Sequence, residues 1–320
     1  MNSSTSHSKP LFAVLVGSLI VSYIVGAVYT VWINPEIRFW RAAYRVKVQH
    51  ARDLDSTNAP KTVFAGGSSC AFQIDPKILE EQFGIPSVNM GLHAGMGARA
   101  ILALTLPLLK PGDHLVLNVE PSLLTGDLAL PPLGLQMLAA TGNFNAPTLS
   151  NSFQLEQIIQ ILLSLRPGLR NAVTMTAKVI AGRPSYRYQI SDIHYGGFLT
   201  TNEKGASAVT APKEQKLSTE AREYLSRIRK QTHQKYVSGQ YLLSWSCIRK
   251  DSELAARKNL EGFAREVGTF FPPINDGKNG VHSNPEDFAD TPLHLTRDGA
   301  TRRTECLGQA LQMQPRTQTH

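Results

Sequence analysis

Residues 11–33 run for 23 positions without a charged side chain, LFAVLVGSLIVSYIVGAVYTVWI. At about 1.5 Å per residue, one helix of this length crosses a hydrocarbon layer of roughly 30 Å. Tyr29 and Trp32 fall near its far end, where aromatic rings favour the membrane interface. The run is longer than the apolar core of a cleaved signal peptide, and VYTVWIN offers no small-x-small cleavage site. The expectation is an uncleaved single-pass anchor at residues 11–33, with a buried core helix as the alternative. The polar residues 1–10 before it are expected to be disordered.

Beyond the run, Arg38, Arg41, Arg45, Lys47 and Arg52 accumulate. A literal positive-inside count puts the large domain in the cytoplasm. Ile37, Trp40, Tyr44 and Val48 recur at helical spacing. Residues 34–58 therefore also read as a juxtamembrane helix or linker, the same basic residues forming the polar face of a helix that lies on anionic lipid. The formal charge of +8 favours anionic surfaces such as phospholipid or acidic polysaccharide. The Lys and Arg residues are spread along the chain without a nucleic-acid motif, so no nucleic-acid partner is expected. Cys70, Cys247 and Cys306 are too far apart for a CxxC zinc site, and no metal or other cofactor is expected. One disulfide or three separate thiols remain open.

Residues 59–320 read as an α/β domain. A β-prone run at 61–65 precedes a helix at 76–83, for which Asp75 is the N-cap and Pro76 the first helical residue. A short strand ends at Asn89-Met90, a helix spans 98–109, and a near-continuous hydrophobic strand occupies 114–120, as in a parallel sheet buried on both faces. Residues 122–215 break this rhythm and are expected to be an insertion forming a lid or substrate wall, with a plain structural elaboration as the alternative; a helix is expected at 154–165 and an aromatic loop near 183–197. Helices at 220–234 and 252–267 flank a strand at 241–245. A last strand is expected at 268–271 and a closing helix at 297–313, with Thr296 as its N-cap. Alternating strands and helices imply a three-layer α/β/α doubly wound parallel sheet, with ligands beyond the carboxyl ends of the strands.

At the end of the first strand stands Gly66-Gly67-Ser68-Ser69-Cys70. Two glycines permit a sharp turn and a close backbone approach, which displays a serine at the sheet edge. A serine hydroxyl needs a base to take its proton and an acid to orient that base. Asp290 and His294, on one loop before the closing helix, supply both types. Ser69 is the alternative nucleophile, and His282 with Asp287 the alternative pair. Cys70 lacks a cationic neighbour in sequence and reads as a small packed residue. His93 reads equally as a substrate contact or a packed loop histidine.

These blocks together resemble the SGNH (GDSL-like) hydrolases, in particular membrane-anchored members that hydrolyse or transfer acyl groups. The resemblance covers roughly residues 60–120 and 265–310. It implies Ser68 as nucleophile in Gly66-Gly67-Ser68, where the family has an aspartate in place of Gly67. It implies Asp290 and His294 as acid and base, with one residue more between them than the family pattern. It implies an oxyanion hole from the amides of Ser68 and Gly95, with Gly91 as the alternative to Gly95, and the side chain of Asn118, whose place Glu120 takes if that strand is read two residues later. The implied activity is a serine esterase or O-acyltransferase working on acyl esters, acetyl above all, of cell-envelope or exported polysaccharide. Implied partners are membrane lipid, an acylated polysaccharide or other acyl donor, and a multispanning membrane acyltransferase. The implied location is the bacterial inner membrane with the domain in the periplasm, opposite to the positive-inside count. A non-catalytic, membrane-anchored binding or scaffold protein on a degenerate SGNH fold is the alternative.

Overall fold

The computed structural model describes residues 8–126, 128–143, 186–235, 238–274 and 278–313, with a few isolated positions between 159 and 181. The chain begins with α1 (Ser8–Val28), so residues 8–10 form the helix's first turn rather than part of a tail. It continues through a π-helical turn, Tyr29–Ile33. Pro10–Ile33 is long and apolar enough to cross a membrane. Asn34 then breaks the helix and caps α2 (Pro35–Asp55), its Oδ1 accepting the Glu36 amide at 3.0 Å with Pro35 opening the first turn.

Four strands form the main sheet among the described residues, β1 (Thr62–Gly66), β2 (Ser87–Gly91), β3 (His114–Val119) and β4 (Ser238–Leu243), all parallel in the order β2-β1-β3-β4, and two short strands, β5 (Ser246–Cys247) and β6 (Val281–His282), pair in parallel beside it. Between and after them lie α3 (Ser68–Gln73), α4 (Pro76–Phe83), α5 (Gly97–Thr105), α6 (Pro132–Thr141), α7 (Thr219–Lys235), α8 (Glu253–Gly268) and α9 (Arg297–Met313). The N-caps sit where side-chain chemistry places them: Asp75 Oδ1 accepts the Lys77 amide at 2.9 Å, and Thr296 Oγ1 accepts the Gly299 amide at 3.2 Å.

Strand residues alternate between two cores, as a period of two requires. Val63, Ala65, Leu115, Leu117 and Leu243 pack with Leu102 of α5, Leu225 of α7 and Phe263 of α8. On the opposite face Phe64, Val116 and Leu242 pack with Cys70 of α3, Leu79 of α4 and Leu307 of α9. Helices therefore cover both faces of the parallel sheet. The register sets Gly66 beside Gly91 on one side and Asn118 on the other, so the strands end together at one edge. That edge is where ligands of doubly wound sheets bind.

Two expected elements differ. Residues 268–271 are not a strand: α8 runs to Gly268, and the sheet gains only a single bridge, Tyr241 to Pro273. Prolines at 272 and 273 lack amide donors, so a full ladder cannot form there. The second difference concerns residues 34–58: the expected helix is present as α2 and the stretch is not a linker, but the helix packs its apolar face into the domain. Ile37, Phe39, Trp40, Ala43 and Ala51 of α2 are buried within the domain. Lys47 is buried too, and its Nζ donates to the Asn89 carbonyl oxygen at 2.7 Å and to that of Gly197, tying α2 to β2 and to the loop around residue 197. The helix expected at 154–165 lies outside the described residues apart from Ile159 and Leu163, which are helical and exposed.

Candidate active site

Gly66 and Gly67 carry the chain from β1 into α3. A Cβ on Gly67 would lie 2.4 Å from Glu120 Oε1 and 3.0 Å from the Ala94 side chain, so no larger residue fits as the site stands. Glu120 follows the end of β3, is buried, and accepts the Ser69 amide at 2.9 Å. The glycine standing where an aspartate was expected therefore gives up its side-chain space to the Glu120 carboxylate.

Of the two serines, Ser69 is fully buried, and its Oγ pairs at 2.7 Å with Ser244 Oγ. Ser68 is half-exposed, and its Oγ lies 2.9 Å from His294 Nε2. His294 Nδ1 lies 2.8 Å from Asp290 Oδ1. The geometry thus separates the two candidates: Ser68 faces the histidine and Ser69 packs behind it. The four-residue step from Asp290 to His294 is taken up by a compact loop. The Ala289 amide donates to the His294 carbonyl oxygen at 2.8 Å, Phe288 and Leu295 form an antiparallel bridge, and Thr291 Oγ1 accepts the His294 amide at 3.1 Å.

Two further contacts fix the base against the nucleophile helix. The His294 ring stacks on Phe72 of α3, with centroids 4.2 Å apart and planes 17° from parallel. Gln73 Nε2 donates to the carbonyl oxygens of Leu293 at 2.8 Å and Trp245 at 3.0 Å. Neither residue follows from a motif; both follow from α3 lying beside the 287–296 loop.

The aromatic loop of the insertion also reaches the site. The Tyr188 hydroxyl donates to Asp290 Oδ2 at 2.8 Å and lies 3.2 Å from His294 Nδ1. Arg187 Nη1 sits 3.0 Å from the same Oδ2 and also bonds Glu203 through Nε at 2.7 Å. Tyr188 is held by aromatic neighbours, Phe72 at 5.2 Å and Phe39 of α2 at 5.6 Å between centroids. Burial alone would raise the Asp290 carboxyl. The bond and charge of His294, the Tyr188 hydroxyl and the Arg187 guanidinium outweigh it and hold that carboxyl below the usual carboxylate range. The Tyr188 hydroxyl is pushed up, first by burial and then by the Asp290 charge, so it stays a donor. The sequence places Arg187 and Tyr188 in the aromatic stretch of the insertion but gives neither of them a contact with Asp290.

The expected oxyanion donors fare unequally. Ser68, first residue of α3, has no hydrogen bond to its amide among the described residues. The Gly95 amide instead donates to His93 Nδ1 at 2.9 Å, because the histidine caps the short helical turn Ala94–Met96. That bond makes Nδ1 an acceptor in the neutral ring, leaving the His93 proton on Nε2, 3.9 Å from Glu36 Oε1. Burial and the nearby His294 both lower the His93 pKa, which favours this neutral form. The Gly91 amide, the alternative to Gly95, is taken by Asn89 Oδ1 at 2.9 Å. Asn118 is 1% exposed; its Oδ1 accepts from Ser244 Oγ at 2.9 Å, and its Nδ2 is enclosed with no hydrogen bond.

The other candidates lie elsewhere. His282 pairs with Asp287 at 3.4 Å and stacks on Trp245, while Asp287 also meets Arg302; neither has a bond to Ser68. Cys70 is buried, and burial pushes its thiol up to about 12, which makes it a packed residue rather than a nucleophile. All three cysteines are free. Among the described residues no three His, Cys, Asp or Glu side chains are grouped to hold a metal. No protein-family model, curated protein or solved structure matches this chain.

Proposed function

We propose that the chain is a membrane-anchored serine esterase or O-acyltransferase of SGNH type. The observation that carries this reading is the continuous relay from Ser68 Oγ to His294 Nε2 at 2.9 Å and from His294 Nδ1 to Asp290 Oδ1 at 2.8 Å. Its parts come from α3, at the end of β1, and from the loop before α9, the order the resemblance implies. Ser68 Oγ attacks the carbonyl carbon of an acyl ester while its proton passes to His294 Nε2. Asp290 orients the ring and balances the imidazolium. The Ser68 amide stabilises the oxyanion, which collapses to expel the alcohol as His294 returns the proton. Water or a sugar hydroxyl, deprotonated by His294, then takes the acyl group from Ser68 and frees the enzyme.

The substrate class, an acetyl or other acyl ester of cell-envelope or exported polysaccharide, rests on the resemblance. So do a multispanning acyltransferase partner and a periplasmic site at the bacterial inner membrane. The apolar Pro10–Ile33 helix fits the single-pass anchor. The test is labelling of the full chain by a fluorophosphonate together with hydrolysis of an activated acetyl ester. Both are expected for wild type and neither for Ser68→Ala; a folded wild type that is inert in both assays overturns the reading.

A non-catalytic, membrane-anchored scaffold is the second reading. It is favoured by the enclosed Asn118 and the engaged Gly95 amide, which leave one expected oxyanion donor in place. Removing a single such donor costs an enzyme about 3–4 kcal/mol, so an incomplete hole matters. The same two assays separate the readings.

A further inference from the structure

Away from the Ser68 edge, α2 and α6 enclose a groove of about 500 Å³. Arg41, Arg45 and Arg52 of α2 line it with Tyr44 and Gln49, and Asn143 closes it beyond the end of α6. No carboxylate is among the lining residues, and none of the three arginines forms an ion pair among the described residues. Among the described residues their guanidinium groups make one hydrogen bond, from Arg41 Nη1 to the Val31 carbonyl oxygen at 3.4 Å. Burial and the like charges of Arg45 and Arg38 press the Arg41 pKa downward, as expected where cations gather without counter-charge. Tyr44 adds a hydroxyl to the wall, positioned by Asn143 Nδ2 at 3.3 Å.

The place of the groove matters as much as its charge. Val31 belongs to the last turn of the Pro10–Ile33 helix, so Arg41 joins one end of the groove to the end of the apolar span. Arg52 lies eleven residues further along α2, roughly 16 Å away at helical rise. Because the apolar face of α2 is spent on the domain core, its arginines are left as walls of a cleft rather than as a face spread on a surface. A cleft lined by several guanidinium forks and a hydroxyl suits a phosphate oxyanion, which accepts two parallel N–H bonds from each fork.

We propose that this groove binds the phosphate of an anionic phospholipid headgroup, with Arg41 and Arg45 as the principal ligands and Arg52 at the outer end. The site is independent of the acyl-transfer chemistry and rests only on the span entering a membrane; it holds for either orientation of the span. It would fix the rotation of the domain about its single anchor.

The test titrates phosphatidylglycerol, with phosphatidylcholine as reference, into the detergent-solubilised full chain and counts bound lipid by native mass spectrometry. Wild type is expected to retain phosphatidylglycerol selectively. Arg41→Gln, Arg45→Gln and Arg52→Gln combined are expected to weaken retention by roughly a hundredfold, at the scale of one favourable contact per arginine. The corresponding triple lysine variant, which keeps charge without the forks, falls between the two. A charge-matched control, Lys204→Gln, Lys230→Gln and Lys258→Gln at exposed positions, is expected to bind as wild type. Circular dichroism and melting in detergent check that each variant is folded. Equal retention by the folded glutamine triple variant overturns the proposal, as does equal loss in the control, which would mean diffuse charge attraction. Thermal stabilisation by inorganic phosphate alone as large as that by the lipid overturns the headgroup assignment in favour of a soluble phosphate. Displacement of the lipid by soluble polyuronate overturns it in favour of an acidic polymer.

Discussion

The Tyr188 hydroxyl donates to Asp290 Oδ2 at 2.8 Å and lies 3.2 Å from His294 Nδ1, while His294 meets the other carboxylate oxygen, Oδ1, at 2.8 Å. The acid of the relay is therefore gripped from two directions, by the base it serves and by the insertion. Tyr188→Phe removes the donor and keeps the aromatic packing on Phe72 and Phe39. A hydrogen bond to a charged group contributes about 1.5–3 kcal/mol, so kcat is expected to fall about ten- to a hundredfold. Phosphonate labelling of Ser68 slows in parallel, and KM for a small acetyl ester stays near the wild-type value. A KM rise with unchanged kcat would mean that Tyr188 contacts substrate instead.

Asp290→Asn keeps the shape of the acid and removes its charge. Activity is expected to drop on the order of 10⁴-fold, the scale for loss of the acid in a serine triad, while the fold persists. Stability carries a second signature. A carboxyl held below its usual value contributes stability above the unfolded value of about 3.9 and loses that contribution as pH falls through the lower folded value. The gap in urea midpoint between wild type and Asp290→Asn is expected to be widest above about pH 5 and to narrow as pH falls below the unfolded value. A gap independent of pH would place the stabilisation in packing rather than charge.

What the sequence reveals, and what it hides, follows the range of the interactions. The helices at 76–83 and 297–313 agree with their caps and periodicity to the residue, because Asp75, Pro76 and Thr296 act within one turn. The nearness of Ser68 to Asp290 and His294 required a parallel sheet and the recognised order of motifs, and the structure brings the three together. Tyr188, Arg187, Phe72 and Gln73 were not singled out, since their roles arise from contacts across 100 to more than 200 residues with no local signal. The roles of Gly95 and Asn118 were hidden for a related reason: whether an amide is free depends on His93 and Ser244, which a motif does not weigh. The burial of α2 was masked by its arginines, which read as a membrane-facing helix although the opposite face holds the core.

Gly67 and Glu120 form a size-matched pair. A methyl group at position 67 would press on the Glu120 carboxylate, with 2.4 Å to Oε1 and 2.8 Å to Cδ. Gly67→Ala is expected to destabilise the fold by about 1–3 kcal/mol, the usual scale of overpacking, and to lower the rate by shifting Ser68. In a Glu120→Ala background the two shortest contacts are gone and the Ala94 side chain at 3.0 Å remains, so the effect of the same substitution on Tm is expected to shrink. A double-mutant cycle from melting curves measures the difference, and strict additivity would mean that the clash is relieved elsewhere.

Lys47 joins α2 to the sheet by donating to the backbone of Asn89 and Gly197, and it does so where burial lowers its pKa to about 7. The unfolded amine keeps its ordinary value of about 10.4. Between those values the unfolded chain binds one proton more than the folded chain, so this residue makes stability rise with pH. Below the folded value both states carry the proton and its contribution is flat. Lys47→Met fills similar volume without a titrating group, though it leaves the two carbonyl oxygens unpaired and lowers stability at every pH. Wild-type melting temperature relative to Lys47→Met is accordingly expected to climb between about pH 7 and pH 10 and to level off below that range. A relative stability that stays flat across that window and falls only above about pH 10 would show that the two carbonyl oxygens hold the charged ammonium more strongly than burial opposes it, and would reverse the sign of the linkage.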